Sequence, residues 1–388
     1  MDFRDSPDDA AYRAQLRAWL TDAVAALPGP EPETMEERLL HWRPFQERLF
    51  EAGYAGLSWP KAHGGQEASL VQQAIFLEEY DRAGAPDRLN VLGEGLAGPT
   101  IVDFGTDQQR ERFLRPILEG SDVWCQLFSE PAAGSDLAAL EARAERDSGG
   151  WRISGQKVWT SRAQIAGYGM LLARTGGPRH GGITYFILPM QQEGVVIRPL
   201  RHILGEAEFN EVFLDGAYVP DELVLGPVDG GWKIAMATLS YERVALATGR
   251  VNMQRLFDDL VELVRTTERD GRPLGEDPHV RRTIADLYAR TRVYRLNGLR
   301  ALSSMAAGTP GPSVSLGKLL SCPLLEDMAD FAVAQHGLAG SLEPDDPAAV
   351  AGRWLRLAYQ ARGTSIAGGT TFIQRNIVAE RVLGLPRR

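Results

Sequence analysis

Two short segments carry side chains whose types and spacing suit the binding of a polar ligand. The first, residues 124–137, reads WCQLFSEPAAGSDL and joins the end of a strand to a turn containing Pro131 and Gly134. Such a turn exposes backbone N–H groups and serine hydroxyls toward a polar or anionic ligand. A loop N-capped by Ser135 or Asp136 accounts for the same composition, and the residue types alone favour neither interpretation.

The second segment, residues 157–161, reads KVWTS and places an aromatic ring and two hydroxyls at the end of a strand. An indole with neighbouring hydroxyl donors suits a flat heteroaromatic ring. A tryptophan in a strand is more often a core residue, however. Taken alone, this residue type therefore predicts that Trp159 is buried in the core.

A third candidate for chemistry is the carboxylate of Glu242, which lies in a helical pattern. On a helix, residues three and four positions away share its face, and here they are apolar or small, with no cation: Thr238, Leu239, Ala245 and Leu246. Partial desolvation would raise the pKa of this carboxyl and its strength as a base. A structural salt bridge through Arg243 or another helix is the alternative.

Three other patterns lack the context that their chemistry needs. Residues 93–98 read GEGLAG and match the dinucleotide fingerprint, but they sit in a helical zone and run into Pro99. Ser315 and Lys318 have the spacing of serine acylases, yet the companion boxes S-D-N and K-T-G are missing. The six histidines never adopt metal-ligand spacing, so no metal site is predicted.

Composition excludes several classes of protein. The net charge of −9 argues against a nucleic-acid binder, and two distant cysteines fit a reducing cytoplasm. The first 20 residues carry several charges and no apolar core, so they are not a signal peptide. No apolar run approaches the ~20 residues that cross a bilayer. We expect a cytoplasmic protein that binds neither nucleic acid nor membrane.

The elements that must position these residues fall into three zones. Residues 1–123 show helical periodicity, residues 124–228 contain short β-rich runs separated by Gly and Pro, and residues 229–388 return to long helical segments. The length of 388 residues suits two to three domains. This order predicts an α+β architecture with a compact barrel or sandwich in the middle.

The two ligand-binding segments together resemble the acyl-CoA dehydrogenase family. Its signature is Cys-Gln-x-Phe-Ser-Glu-Pro-x-Ala-Gly-Ser-Asp-Leu, followed by Gly-Gln-Lys-Val-Trp-Thr-Ser some two dozen residues later. Other parts of the chain agree in order: residues 58–65, 98–106, 209–220 and 369–381. The resemblance implies an N-terminal helical domain, a middle β-barrel, and a C-terminal four-helix bundle that mediates oligomers.

The resemblance also implies FAD as the cofactor. Phe128 and Ser129 would lie along the flavin ring, with Ser129 near its N5 edge. Leu127, which precedes them, would also bind the cofactor. Gly134 and Ser135 would sit where flavin and acyl-CoA meet, so Ser135 is also expected to bind substrate.

Further FAD contacts are implied on two other segments. Trp159, Thr160 and Ser161 would cover the opposite part of the isoalloxazine and its ribityl chain. Thr370, at a helix N-terminus, would bind the phosphate or ribityl region.

The chain departs from the family at the position of the catalytic base. Many members have a glutamate immediately before the Gly-Thr of the last motif, where this chain has Gly368. Other members carry the glutamate on the helix that opens the C-terminal bundle, in a Tyr/Leu-Glu-Arg setting. Residues 239–243 read LSYER there, so the resemblance assigns the base to Glu242.

Two FAD-binding segments also differ from the family. The family's Arg-x-x-Phe-Gly loop, whose arginine pairs with the pyrophosphate, is replaced by residues 268–274, ERDGRPL. Arg269 and Arg272 are weak substitutes for the arginine of that loop. The segment that reaches the neighbouring subunit's FAD, Gln-x-x-Gly-Gly in the family, reads AQHGL at residues 334–338.

The implied reaction is α,β-dehydrogenation of an acyl-CoA thioester. Glu242 would remove the α-proton while the β-hydrogen leaves as hydride to the flavin. The backbone N–H at Gly368 would stabilise the thioester oxyanion, and Ser240, Tyr241 and Arg243 would bind substrate. Electrons would pass to an electron-transfer flavoprotein, and the assembly would be a homodimer or dimer of dimers.

Three alternatives remain open. The chain could be one subunit of a heteromeric dehydrogenase, because it lacks the family's Arg-x-x-Phe-Gly loop that pairs with the FAD pyrophosphate. It could be a flavin monooxygenase on the same fold, which needs no glutamate base. An NAD-binding module is more distant and would require a strand before Gly93.

Overall fold

The computed structural model describes residues 5–29, 32, 34–247, 253–306, 313–342, 346 and 352–386. They form two compact units, of which the first is Asp5–Glu242 and the second begins at Arg243. Each unit has a hydrophobic core of its own.

The first unit opens with helices that pack through apolar faces. Between the third and fourth of them lies a π-helical segment, Gly93–Ala97. The helices are α1 (Pro7–Ala25), α2 (Met35–Glu51), α3 (Leu70–Arg82), α4 (Gly98–Phe104) and α5 (Asp107–Glu119).

Helix α5 shows how local signals set these boundaries. Thr106 is its N-cap and forms a capping box with Gln109, and Gly120 ends it in the left-handed conformation, at φ +79°. Phe113 and Ile117, four residues apart, are both 0% exposed and bury one face of the helix in the core.

A single eight-stranded sheet follows. Its order is β6-β7-β3-β2-β4-β5-β8, and β1 pairs with β4 in parallel. The strands are β1 (Trp124–Leu127), β2 (Arg143–Asp147), β3 (Gly150–Ser161), β4 (Tyr168–Arg174), β5 (Ile183–Pro189), β6 (Val195–Leu200), β7 (Phe209–Pro220) and β8 (Val224–Leu225).

Two features of the sheet bear on the site. Strand β5 is buried from Ile183 to Leu188, because both of its faces are covered. Strands β3 and β7 pair antiparallel, but their register shifts between Lys157 and Thr160. Such an irregularity re-aims side chains and is frequent next to binding sites.

Helix α6 (Gly231–Ala247) crosses from the first unit into the second. The second unit is otherwise helical, with one short hairpin, and the helices α7 to α10 share a core that includes Leu260, Leu324 and Met328. Its elements are α7 (Met253–Thr266), β9 (Glu268–Arg269), β10 (Arg272–Pro273), α8 (Pro278–Ala306), α9 (Ser313–Gln335), α10 (Gly352–Thr364) and α11 (Thr371–Ile377).

The predicted α+β architecture is confirmed, since helices precede and follow one zone of strands. The division into domains at 123/124 and 228/229 stays a prediction. Among the described helices, none combines the length and the hydropathy that crossing a bilayer requires.

Candidate active site

Strand β1 ends at Leu127 and the turn after it begins at Phe128, and both of these side chains are buried. The Phe128 ring lies edge-on to the ring of Tyr185, with the centroids 5.8 Å apart. Ser129 is half-buried, and its carbonyl accepts a hydrogen bond from the N–H of Val158 at 3.0 Å. This bond joins the two segments that are predicted to bind one ligand.

The loop that follows is exposed at its tip. Glu130 and Ala133 exchange two backbone hydrogen bonds, of 3.0 and 3.1 Å, which close a tight turn. Beyond it Gly134 and Ser135 are exposed, and a Cβ at Gly134 would meet no atom within 4 Å. Asp136 precedes a short 3₁₀ turn without forming a side-chain cap bond. Capping by Asp136 therefore does not explain this segment.

Trp159 departs from what its residue type suggests. Its φ angle is +59°, in a left-handed region that bulky residues rarely adopt. Its indole is 61% exposed. Strain of this kind clusters at active sites and ligand clamps, where the surrounding structure enforces it. The expectation of burial in the core is wrong for Trp159, and the ring-binding interpretation gains support.

The two residues after Trp159 differ from it in exposure. Ser161 is half-buried, whereas Thr160 is 0% exposed. The hydroxyl of Thr160 has no hydrogen-bond partner within the described part of the chain. Its carbonyl accepts a hydrogen bond from the Asn210 side chain at 2.9 Å. Trp159 thus offers an exposed face, and Thr160 a buried hydroxyl with unused bonding capacity.

Two charged residues of these segments, Lys157 and Glu130, were missed as functional candidates. Their side chains are 0% and 5% exposed, and the Lys157 Nζ lies 2.7 Å from the Glu130 Oε1. A signal existed in the sequence, because each of two segments predicted to lie together carries one charge of opposite sign. Burial could not be foreseen, since lysines are rarely inside unless they are paired.

Helix α6 carries the predicted base. The backbone of Glu242 is helical, while the side chains of Glu242 and Arg243 lie outside the described residues. The hydroxyl of Ser240 donates to a carbonyl one turn earlier, at 2.7 Å, and the hydroxyl of Tyr241 donates to the carboxylate of Asp103. Burial, together with this contact, raises the pKa of Tyr241.

A buried cluster of three hydroxyls lies one helical turn before Glu242. Thr100 of α4, Tyr185 of β5 and Thr238 of α6 are each at most 1% exposed. The hydroxyl oxygen of Thr238 lies 2.9 Å from that of Thr100 and 3.4 Å from that of Tyr185. Burial raises the pKa of Tyr185. Because Tyr185 also contacts Phe128, the cluster links α6 to the turn after β1.

In the second unit, the loop before α11 has a left-handed backbone. Gly368 and Gly369 have φ angles of +64° and +86°. The ammonium of Lys318 donates to the carbonyl of Gly369 at 2.7 Å and to that of Ala367. Lys318 therefore holds this loop, which argues against a serine acylase role for the Ser315 motif.

The remaining predicted FAD residues also lie in the second unit. Thr370 is the N-cap of α11, and its hydroxyl oxygen accepts a hydrogen bond from the N–H of Ile373 at 3.2 Å. Arg269, in the β9–β10 hairpin, donates to the side-chain oxygen of Gln335 at 3.1 Å. Arg269 therefore lies beside residues 334–338.

The match to the dinucleotide fingerprint is explained by packing. It forms the π-helical segment and the start of α4, and β1, the first strand in the described ranges, comes after it. A Cβ at Gly98 would lie 1.8 Å from the ring of Trp59, and one at Gly93 would lie 2.4 Å from the side chain of Asn90. These glycines admit neighbouring side chains, and the described part of the chain has no strand before them of the kind that an NAD site requires.

Comparison with known proteins decides the family. Family models match in order along the chain: the acyl-CoA dehydrogenase N-terminal domain at 6–121, the middle domain at 125–217 and the C-terminal domain at 229–383. The chain belongs to the acyl-CoA dehydrogenase family. It is 42% identical to the acyl-CoA dehydrogenase IpdE1 of Mycobacterium tuberculosis, over 98% of each chain.

Two solved structures are similar over the full length of both chains. One is the Tcur3481-Tcur3483 steroid ACAD, with a TM-score of 0.87 and 32% identity. The other is the ChsE4-ChsE5 complex from Mycobacterium tuberculosis, with a TM-score of 0.87 and 30% identity.

Acyl-CoA dehydrogenases are FAD-dependent oxidoreductases, and FAD is the cofactor of this one. The first unit fits the flavin ring in three respects: the exposed indole of Trp159, the open space over Gly134 and the unused hydroxyl of Thr160. The assignment of each residue to a part of FAD stays a prediction.

Proposed function

We propose that this acyl-CoA dehydrogenase converts a bulky, steroid-type acyl-CoA thioester to the 2-enoyl-CoA, with Glu242 as the base, as one subunit of a complex with a homologous chain. The observation that carries the proposal is the loop at Gly368. This residue has no side chain, and its φ angle of +64° favours glycine. The proton acceptor must therefore come from another element, and α6 supplies a carboxylate in the sequence setting that the family uses.

The surroundings on α6 suit a general base. Ala235 and Thr238, on the two turns before Glu242, are both 0% exposed. A carboxylate on this stretch would be partly withdrawn from water, which strengthens it as a base. Removal of an α-proton from a thioester is difficult, so a base of raised strength is required.

Other groups of the chain would bind and orient the substrate. The N–H of Gly368 would donate to the thioester oxygen as negative charge develops there. Ser135, Ser240, Tyr241 and Arg243 would hold the pantetheine and acyl portions. FAD, when bound, supplies the electron acceptor, and an electron-transfer flavoprotein would reoxidise it.

Two solved relatives support the proposed substrate class and the proposed partner chain. Both of the full-length structural matches are named as pairs of chains, and one of them is described as a steroid enzyme. Within this chain, the family's pyrophosphate-binding loop is replaced, and Arg269 donates to Gln335. A homologous partner would supply the missing pyrophosphate contact. A homodimer or homotetramer is the alternative assembly.

Two measurements test the proposal. The chain is purified alone and after coexpression with homologous chains, and its mass and FAD content are measured by native mass spectrometry. We expect full FAD occupancy only in the two-chain complex. A homo-oligomer with one FAD per chain and full turnover would contradict the heteromer.

The second measurement identifies the substrate. The oxidised complex is mixed anaerobically with short, branched, long and steroid acyl-CoA thioesters, and the bleaching of the flavin is followed. We expect the steroid thioester to bleach the flavin fastest. Faster bleaching by a short linear thioester would overturn the substrate class, and the absence of bleaching by any thioester would overturn the dehydrogenase function.

A further inference from the structure

A buried ion pair joins the two segments that are predicted to receive the flavin. The side chains of Lys157 and Glu130 are 0% and 5% exposed, and their charged atoms are 2.7 Å apart. Desolvating two charges is costly, and well-packed apolar residues in their place are often no less stable. Stability alone is therefore a weak explanation for this pair.

The contacts of Lys157 point to a role in positioning. Its ammonium also donates to the carbonyl of Phe128 at 3.2 Å. The next carbonyl, that of Ser129, accepts the N–H of Val158 at 3.0 Å. These two bonds fix the turn after β1 against β3, immediately before the strained and exposed Trp159.

The contacts of Glu130 fix the neighbouring loop. Its carboxylate accepts hydrogen bonds from the backbone N–H groups of Glu141, at 2.6 Å, and Ala142, at 3.0 Å. The side chain thereby closes the base of residues 131–140, whose exposed tip contains Gly134 and Ser135. Arg174 donates to two carbonyls of the same loop, at 3.0 and 3.2 Å.

The two charges depend on each other. Burial lowers the pKa of Lys157, and the facing carboxylate of Glu130 opposes that effect. Removing one partner would leave the other charge buried without compensation, which is strongly destabilising. Removing both charges together avoids this penalty, so an effect on flavin binding can be separated from the destabilisation that an unpaired buried charge causes.

We propose that Lys157 and Glu130 are positioning residues for the flavin. The pair holds Phe128, Ser129 and Trp159 on one side and the Gly134–Ser135 loop on the other in the arrangement that receives the isoalloxazine ring. Because both side chains are buried, the pair would act through these segments and not by touching the substrate. The inference rests on the proposed placement of FAD at this surface.

The test uses the complete enzyme with both residues changed, Lys157→Met and Glu130→Gln. These side chains keep similar volumes, and the glutamine oxygen can still accept a hydrogen bond from one of the two N–H groups, at 141 or 142, that now bond to separate carboxylate oxygens. Glu94→Gln is the matched control, because Glu94 is a carboxylate of similar burial, 6% exposed, that accepts from Gln46 and Gly56 in the helical part of the same unit. The readouts are the FAD dissociation constant, the visible circular dichroism of bound flavin and the melting temperature of the FAD-free protein.

We expect the double variant to bind FAD about tenfold more weakly than wild type, with altered flavin dichroism, while its FAD-free melting temperature falls no further than that of Glu94→Gln. Wild-type affinity and dichroism in the double variant would overturn the proposal, as would an equal loss of affinity in Glu94→Gln. Glu130→Asp gives a second test if the double variant does not fold. It keeps both charges but shortens the carboxylate, and we expect the same change in dichroism.

These readouts need no acyl-CoA, so they separate the inference from the proposed function. A wild-type enzyme that binds FAD but is bleached by no thioester would refute the function and leave the FAD measurements interpretable. Bleaching by a thioester, with unchanged FAD binding in the double variant, would refute the positioning role alone.

Discussion

The turn that is predicted to face the flavin and the helix that is predicted to carry the base are built in different ways. The turn after β1 is joined to β3 by the Ser129–Val158 backbone bond and by the buried Lys157–Glu130 pair, which connect residues about thirty positions apart. Glu242, the predicted base, lies one helical turn after Thr238 on α6, and its place in the sequence is set by the spacing of a single helix. A planar ring requires several elements in a fixed arrangement, whereas a single proton acceptor requires one. The base can therefore occupy different positions in the sequence, while the ring-binding segments remain recognisable.

The largest effect on the ring-binding side is expected from Trp159→Ala. The substitution removes an exposed aromatic face, and stacking on such a face contributes ~1–3 kcal/mol. We expect the FAD dissociation constant to rise about 10–100-fold, measured by fluorescence titration. Leu40→Ala, which removes a comparably exposed side chain at 72% exposure from α2, should leave FAD affinity unchanged. Equal losses in the two variants would show that Trp159 does not contact the flavin.

The helix side is tested by Thr238→Val. This change keeps the shape of the side chain but removes the hydroxyl that meets Thr100 and Tyr185, leaving buried partners unpaired, which costs about 1–3 kcal/mol. Thr291→Val is the matched control, because Thr291 is also buried and, among the residues that the structure describes, donates only to a carbonyl in its own helix. We expect urea denaturation to give a lower free energy of unfolding for Thr238→Val than for Thr291→Val. An equal loss in the control would mean that the hydroxyl cluster adds nothing to the packing of α6.

A smaller effect is expected at the Gly368 loop. Gly368→Ala forces a side chain into a backbone with φ of +64°, which costs about 1 kcal/mol. Gly363→Ala, in α10 where φ is not positive, should be neutral or stabilising.

A carboxylate placed in the Gly368 loop, as Gly368→Glu in the Glu242→Gln background, should restore part of the flavin reduction despite the strain. No recovery in a folded double variant would show that the two positions do not serve the same α-carbon.

The smallest effect concerns alkaline stability. Burial raises the folded-state pKa of Tyr185 above its ordinary value of 10.0. The folded protein therefore holds this proton more tightly than the unfolded chain, so the stabilisation is present below roughly pH 10 and is lost as the pH rises above it. Between roughly pH 9 and pH 11, Tyr185→Phe should lose less free energy of unfolding than wild type. The same slope in Tyr185→Phe and in the exposed-site control Tyr288→Phe would contradict this assignment.

The order of elements and the family could be predicted from the sequence, because periodicity and motifs are local signals. Features that depend on contacts between residues distant in the sequence could not be predicted. Trp159 in a strand predicts burial, yet the shift in the β3–β7 pairing exposes it. Lys157 and Glu130 read as ordinary charges, and only the fold buries them together. The glycines of residues 93–98 match a phosphate loop, but the fold uses two of them to admit Trp59 and Asn90.

Glu242 is proposed to remove the α-proton, and the single-turnover rate of flavin reduction in Glu242→Gln tests this role most directly. Glutamine is nearly isosteric, so FAD and acyl-CoA should still bind. A general base contributes typically ~10²–10⁴-fold, and we expect a loss at the top of that range. Glu47→Gln, at an exposed site on α2, should reduce the flavin at the wild-type rate. If Glu242→Gln bleaches within about tenfold of wild type, a range that general-base removal does not explain, Glu242 is structural and the base lies elsewhere.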